Sequence, residues 1–374
     1  MSSLYLHIPY CKKLCYYCDF HFSLNLKTKA DFIAALCKEL ELQHNFLNDT
    51  TLTTIYFGGG TPSVLSSEEI QHIFSTIRRF WNILPTAEIT FECNPDDLNL
   101  TYCKELYSLG INRLSIGIQS FFDEDLQKLN RRHTSAEAQN CVKLAQEVGF
   151  TNITVDLIYG LPNQSLERWQ QNLDKVSQLN VQHLSCYALT VEKKTALAQL
   201  VKRKQVIPQS DDAYVEQYNY LIQWCKQHGF EQYEISNFAK QGMFSRHNSN
   251  YWSGKPYLGV GPSAHSFNGT HRFWNSAHNQ KYIDALQNNK LLQESEQLSH
   301  TDMCNEYIMT ALRTVQGIEI QRMQQLMTSE EFADFMKQVQ TLIRSQKLCM
   351  SQSHIYFTSQ GFMVSDMIIA ELFV

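Results

Sequence analysis

LYLHIPYCKKLCYYCDF, residues 4–20, passes from an apolar run straight into three closely spaced cysteines, Cys11, Cys15 and Cys18. Leu4 to Ile8 reads as a strand, so the cysteines fall on the loop that leaves the first strand of a sheet. Three thiolates on one short loop can meet at a single inorganic centre. Iron–sulfur clusters are held by Cys thiolates at tight spacings of this kind. Three protein ligands leave one iron of a four-iron cluster with an open corner, which suits activation of a small molecule. Zinc is the rival, because His21 would complete a closed Cys3His set; His7 falls in the strand and is the poorer fourth ligand.

Working outward, strand-like and helix-like segments alternate. The strands read LYLHI (4–8), TTIYF (53–57), AEITFEC (87–93), NRLSIGI (112–118), NITVDLIY (152–159) and HLSCYAL (183–189). Helical patterns lie between them at about 28–47, 66–80, 99–109, 134–148 and 165–179. Ser66 to Glu69 and Thr134 to Glu137 are capping-box arrangements, and Gly110 and Gly149 stand where helices end. This alternation predicts a parallel sheet, either doubly wound or curved into a barrel.

In a barrel, function gathers on the loops after the strands' carboxyl ends. Here those ends carry the three cysteines, then Gly58-Gly59-Gly60-Thr61-Pro62, then Glu92-Cys93-Asn94-Pro95. Gln119-Ser120 follows the fourth strand, and Asp156 with Gly160-Leu161-Pro162 belongs to the fifth. A glycine run lets backbone N–H groups approach a ligand carboxylate or phosphate. Glu92 ends an apolar strand beside a proline, where a ribose or an amine would suit it. Each feature alone has a structural reading, as turn, surface carboxylate or barrel-rim hydrogen bond; together they converge on one mouth.

The 374 residues suit one large α/β domain and a smaller one. A net charge of −5 leaves no nucleic-acid footprint. The other cysteines, Cys37, Cys93, Cys103, Cys141, Cys186, Cys225, Cys304 and Cys349, sit singly in apolar stretches and read as small buried hydrophobes. The odd total of 11, with neither a secretory segment nor a long apolar run, predicts a reducing cytoplasmic compartment. The 18 Tyr and 21 Phe suit aromatic-rich cores or a large apolar pocket.

The order of these motifs resembles the radical S-adenosylmethionine (SAM) family. HIPYCKKLCYYCDF (7–20), YFGGGTPS (56–63), EITFECNPDD (88–97), GINRLSIGIQSF (110–121), LNRRH (129–133), DLIYGLP (156–162) and RHNSNYW (246–252) are similar to one branch. That branch holds the oxygen-independent coproporphyrinogen III oxidases and the haem chaperones of the HemW type. The resemblance implies a partial (β/α)6 barrel over residues 1–205 with a [4Fe–4S] cluster on Cys11, Cys15 and Cys18, and SAM at the fourth iron. It further implies that Tyr5 lies beside the cofactor and that Gly59, Gly60 and Thr61 contact the methionyl group. Glu92, Gln119, Arg131 and Asp156 would take SAM's polar groups, with Tyr17 packed by the adenine. Two departures favour the chaperone side: Phe20 stands where the oxidases have a fourth cysteine, and the chain starts shortly before Cys11.

Residues 206–297 read as a connecting segment, with a helix at about 210–228 and a Gly-, Asn- and aromatic-rich stretch from Tyr233 to Phe267. In the resembling chaperones the HNxxYW element, here His247 to Trp252, is associated with haem; a neutral imidazole is a common axial ligand. His247 is therefore the candidate iron ligand, while His265 reads as structural. Residues 298–374 read as three helices (near 300–315, 319–327 and 330–345) and a β-hairpin with a Gly-containing end, a winged-helix-like α+β module. Its second and third helices carry Glu319, Glu330, Glu331 and Asp334, so it reads as a lid or docking domain rather than a DNA reader.

Three functions follow from these residues: a haem chaperone with a cluster and SAM, a radical enzyme acting on a porphyrinogen, and a zinc-stabilised interaction protein. The first implies haem, an acceptor protein that can be membrane-associated, and an electron donor for the cluster.

Overall fold

The structure, a computed structural model, describes residues 2–374. Its first half alternates as expected: β1 (Ser2–Ile8), α1 (Lys29–Leu42), β2 (Thr51–Gly59), α2 (Ser67–Phe80), β3 (Asn82–Cys93), α3 (Leu100–Ser108), β4 (Arg113–Gln119), α4 (Asp123–Lys128), α5 (Ser135–Val148), β5 (Ile153–Tyr159), α6 (Leu166–Gln178) and β6 (His183–Ala188). Both capping boxes form, with Ser66 and Glu69 at the start of α2 and Thr134 and Glu137 at the start of α5. Gly149 ends α5 in the left-handed region at φ 115°.

Strands β1 to β6 pair in sequence order and all in parallel. Side chains alternate across each strand. One face carries Leu4, Leu6, Ile55, Phe57, Phe91, Leu114, Ile116, Val155 and Leu184, all fully buried in one apolar core with Phe32, Leu36, Ile73 and Phe74 of α1 and α2. The other face carries Thr54, Tyr56, Glu88, Thr90, Glu92, Arg113, Ser115, Thr154, Asp156, His183 and Ser185. Parallel strands are usually apolar on both faces. A polar inner face marks a lumen built for a polar ligand, while Phe32, Phe57, Phe74 and Phe91 pack in the core on the other side of the sheet.

The connecting segment supplies both edges of this sheet. After α7 (Ala196–Lys202), which closes the barrel segment, it contains α8 (Asp211–Gln227), β7 (Glu231–Gln232), β8 (Asn237–Ala239), α9 (Arg246–Trp252), β9 (Tyr257–Val260), β10 (His265–Phe267), β11 (His271–Asn275), α10 (Asn279–Gln287) and β12 (Gln293–Gln297). Strand β8 pairs antiparallel with β6 and β7 extends that edge, while β9 pairs parallel with β1 and leads out to β10, β11 and β12. The sheet is thus twelve-stranded and does not close on itself among the described residues. His265 lies exposed on β10.

HNxxYW, which lies in the Gly-, Asn- and aromatic-rich stretch, is helical. Ser245 caps α9 by accepting the Asn248 N–H. The N–H groups of Arg246 and His247 both donate to the Glu88 carboxylate, at 3.0 and 2.9 Å, an anion at a helix amino terminus. The Arg246 guanidinium bonds the carbonyls of Thr86 and Thr53 near the amino ends of β3 and β2. Helix α9 therefore plugs the amino end of the barrel.

The C-terminal module comprises α11 (His300–Leu312), β13 (Ile318–Glu319), α12 (Ile320–Leu326), α13 (Ser329–Arg344), β14 (Leu348–Met350), β15 (His354–Phe357), α14 (Ser359–Phe362) and α15 (Ser365–Glu371). Its core, centred on Ile308, Leu312, Ile318, Met323, Val339, Ile355 and Ile368, is separate from that of the barrel. The expected hairpin is shorter than read: it turns at Ser351 to Ser353, and Gly361 lies inside α14, which Thr358 caps. The module docks on the barrel through backbone bonds between residues 233–235 and 313–315. No helix among the described residues is long and apolar enough to cross a membrane.

Candidate functional site

A cavity of about 550 Å³ opens at the carboxyl ends of the parallel strands. Its wall contains Cys11, Cys15, Tyr17, Cys18, Gly59, Gly60, Thr61, Glu92, Gln119, Arg131 and Asp156, which brings together every expected site residue except Tyr5 and His247. Phe20 stands at the rim, 71% exposed.

The cysteine loop is held by tertiary bonds. Cys11 N–H donates to the Ser23 carbonyl at 3.0 Å, Tyr16 N–H to that of Leu129 at 3.1 Å and Leu197 N–H to that of Tyr16 at 2.8 Å. The Asn130 amide reaches the Leu14 carbonyl at 2.6 Å, so the LNRRH stretch pins the loop from above. Lys12 pairs with buried Asp97 at 2.5 Å, and Ser63 donates to the other Asp97 oxygen at 2.7 Å. The residues between the cysteines thus fasten the loop to the second and third strand ends.

All three thiols are half-buried. The Thr61 hydroxyl donates to Cys11 Sγ at 3.3 Å, and Arg131 Nη1 to Cys15 Sγ at 3.4 Å. Burial pushes the Cys11 thiol up to about 12 and raises Cys18 as well. Loading metal therefore releases protons. The donor set fits a cluster: three thiols face one cavity, and a buried guanidinium beside Cys15 has no carboxylate partner of its own among the described residues. His21, the zinc candidate, turns its ring to Asn279 at 2.7 Å. Among the described residues no group of three or more His, Cys, Asp or Glu side chains is arranged to hold a single ion.

Arg131 is more deeply engaged than the sequence suggested. Its Nη2 donates to Asn94 Oδ1 at 2.7 Å and to the Gly117 carbonyl at 2.6 Å, while its Nε is buried without a partner. Asn94, named at the end of the third strand but given no role, lines the cavity, as do Ser115 and Tyr187, which were not singled out from sequence. Asn94 sits inside the quoted ECNPDD motif, and Ser115 was legible as a polar residue on the inner face of the fourth strand.

Glu92 and Asp156 face one another across the lumen. Burial pushes Glu92 up to about 7, Asp156 adds repulsion, and the hydroxyl of Tyr56 (2.7 Å) with the Gly59 N–H works against the rise. Burial likewise takes Asp156 up to about 6, opposed by hydrogen bonds from Ser185 and Ser115 and by Arg113 and Arg131. Two carboxyls without an ion-pair partner among the described residues are held ready for a ligand that brings positive charge and donors.

The glycines make that approach possible. Gly59 lies at φ 103°, and a Cβ there would stand 2.7 Å from the His7 ring; a Cβ on Gly60 would meet the Ile8 and Tyr10 backbones within 3 Å. Gly59→Ala is expected to lower stability by about 1–3 kcal/mol, the scale of one strained backbone position, in a urea melt of the cluster-free protein. Gln119 is itself at φ 67°, where β4 slips register against β5. Such a bulge re-aims a side chain, here into the cavity.

Tyr5 stands a layer deeper, its hydroxyl 3.1 Å from His7 Nδ1 and its ring beside Tyr56. His247 does not reach this cavity. It is 1% exposed at the other end of the barrel, with Nδ1 2.8 Å from Thr54 Oγ1 and Nε2 buried without a partner. Burial takes its imidazole down to about 3, so it is neutral. The element that the resemblance associates with haem turns its histidine inward, where Glu88 and Thr54 anchor it.

Residues 5–176 match the Radical SAM superfamily and residues 298–364 match the HemN C-terminal domain. The heme chaperone HemW of Bacillus subtilis (strain 168) is 33% identical over 368 residues, spanning 96% of this chain and 96% of that protein. The heme chaperone HemW of Escherichia coli (strain K12) is 38% identical over 266 residues, 70% of this chain and 69% of that protein. Among solved structures, the coproporphyrinogen III oxidase HemN of Escherichia coli superposes with a TM-score of 0.86 over 100% of this chain and 90% of that one, at 24% identity, a likeness of fold. With these similarities and the cysteine-rimmed cavity of its barrel, the chain belongs to the HemW family of radical SAM proteins.

Proposed function

We propose that this protein is a haem chaperone that holds a [4Fe–4S] cluster and SAM in the barrel and passes haem to an acceptor protein. The observation that carries the reading is the similarity to heme chaperones named HemW over nearly the whole chain, barrel and C-terminal module alike. Cys11, Cys15 and Cys18 would ligate the cluster, and Arg131 would offset the charge of the Cys15 thiolate. Gly59, Gly60 and Thr61 would admit the methionyl group, Glu92, Gln119 and Asp156 its polar atoms, and Tyr17 the adenine. SAM at such a cluster supplies a carbon radical on reductive cleavage; the protein's part is to position and to exclude water. Porphyrinogen decarboxylation is the less favoured reading, since Phe20 occupies the place of the oxidases' fourth cysteine. A cytoplasmic protein serving a membrane-associated acceptor, with a separate electron donor, completes the proposal.

The test is anaerobic reconstitution with iron and sulfide, then haemin titration followed by visible absorption, with apomyoglobin as probe acceptor. Saturable binding near one haemin per chain with transfer to apomyoglobin is the expected result. Decarboxylation of coproporphyrinogen without haemin binding would overturn it.

A further inference from the structure

A buried cation stands on the inner face of the barrel, one layer below the cysteine-rimmed cavity. Arg113 opens β4 and is 1% exposed. Its Nη2 donates to Thr154 Oγ1 at 2.5 Å, its Nε is buried without a partner, and it forms no ion pair among the described residues. A guanidinium stays protonated in proteins, and burying a charge uncompensated is costly. We propose that Arg113 is a positioning residue of the SAM site, a fixed positive charge beneath Glu92 and Asp156 that keeps both carboxyls ionised for the cofactor. The proposal rests on the reading of that cavity as the SAM site.

Sheet register carries the assignment. Arg113 pairs with Thr90, two residues before Glu92 on β3, and its guanidinium touches Thr154, two residues before Asp156 on β5. Side chains two apart share one face of a strand, about 7 Å from each other, so both carboxyls stand one layer above the guanidinium. Ser115, two residues after Arg113 on β4, joins the layers, with its hydroxyl 3.2 Å from both Asp156 oxygens. The electrostatics agree with the register. Burial raises Glu92 and Asp156, and Arg113 works against the rise in both. Burial lowers His183 and His247, and Arg113 lowers them further, so its charge is felt from β3, β5, β6 and α9 alike.

The other groups around the two carboxyls leave this task to a cation. Tyr5 on β1, Tyr56 on β2 and Tyr187 on β6 face them, and burial raises all three phenols, which therefore stay neutral. Arg131 opposes the rise of Asp156 from the cysteine side, but it is engaged by Cys15, Asn94 and the Gly117 carbonyl. An opposite charge within about 4–6 Å lowers a carboxyl by about 1–3 pH units. One layer of separation puts Arg113 at the weak end of that range, at about one pH unit.

SAM binding to the anaerobically reconstituted full-length protein, by equilibrium dialysis, tests this role with Arg113→Met and Arg113→Lys. Glu92 titrates at about 7 in the wild type, and loss of the cation is expected to raise that midpoint to about 8. Arg113→Met should then bind about ninefold more weakly than wild type at pH 6, and within about twofold of it at pH 8.5, by simple titration. Arg113→Lys keeps the charge and is expected to restore the wild-type profile. A merely structural arginine would cost the same factor at every pH, so a deficit that does not shrink as pH rises overturns the role. Infrared titration of the cluster-free chain reads Glu92 directly, as the protonated-carboxyl band that Glu92→Gln removes. Should Arg113→Met not fold, that band in the wild type decides. A midpoint near 7 supports the role, and one above about 8, where buried glutamates titrate, overturns it. Absence of SAM binding by the wild type overturns the SAM-site reading and this role with it, whereas an infrared midpoint unmoved in Arg113→Met overturns the role of Arg113 alone.

Discussion

Alanine at any one of Cys11, Cys15 or Cys18 will leave the anaerobically reconstituted protein almost without iron, where the wild type is expected to hold about four irons per chain. The three thiols face one cavity, and no other thiol lines it except Cys93, which belongs to the apolar core behind. With two thiolates left, the remaining metal bonds cannot offset the protons that must leave buried thiols, Cys11 being pushed up to about 12. The loop itself should persist in these variants, since its anchors are Ser23, Leu129, Asn130 and Asp97 rather than sulfur. Circular dichroism and iron–sulfide analysis together check this. Alanine variants of Cys103 or Cys225, buried in the core, should load normally. A full cluster in Cys15→Ala would sink the assignment.

SAM binding should tighten roughly eightfold between pH 6 and pH 7.5, by equilibrium dialysis on the reconstituted protein. In the empty site Glu92 is protonated below about 7 because it is buried near Asp156. At pH 6 about one chain in eleven presents the carboxylate, and at pH 7.5 about three in four, by simple titration about that value. A ligand with positive charge and donors selects the ionised form, so affinity rises with pH. The stability of the ligand-free protein runs the other way. A carboxyl raised in the fold binds its proton more tightly than in the unfolded chain, so stability falls as pH climbs towards 7. Asp156, pushed up to about 6, adds to the trend in the lower half of the window. In Glu92→Gln the eightfold slope should shrink to what Asp156 contributes, at lower affinity throughout. Binding that weakens with rising pH would mean that the ligand uses the protonated carboxyl.

Much of this protein could be read one segment at a time. The cysteine spacing, the glycine run and the capping boxes are local, and each formed where its residues predicted. Strand ends carry the chemistry because a parallel sheet points all its carboxyl ends the same way, so successive motifs had to meet. The hairpin end and the HNxxYW element were misread because a short helix with little apolar periodicity takes its stability from tertiary partners. Here those are Thr358 for α14 and Glu88 for α9.

What depended on the residues alone was therefore the alternation of strand and helix and the identity of the thiol, glycine and carboxyl groups at one mouth. What only the tertiary structure decided was who meets whom across long stretches of chain. Arg131 reaches Cys15 and Glu92 faces Asp156 because of sheet register, and His247 turns into the barrel because Glu88 and Thr54 hold α9 there. Spacing along a chain sets local geometry through backbone dihedrals. The burial and neighbours that set a pKa or expose a ligand arise only when distant segments pack.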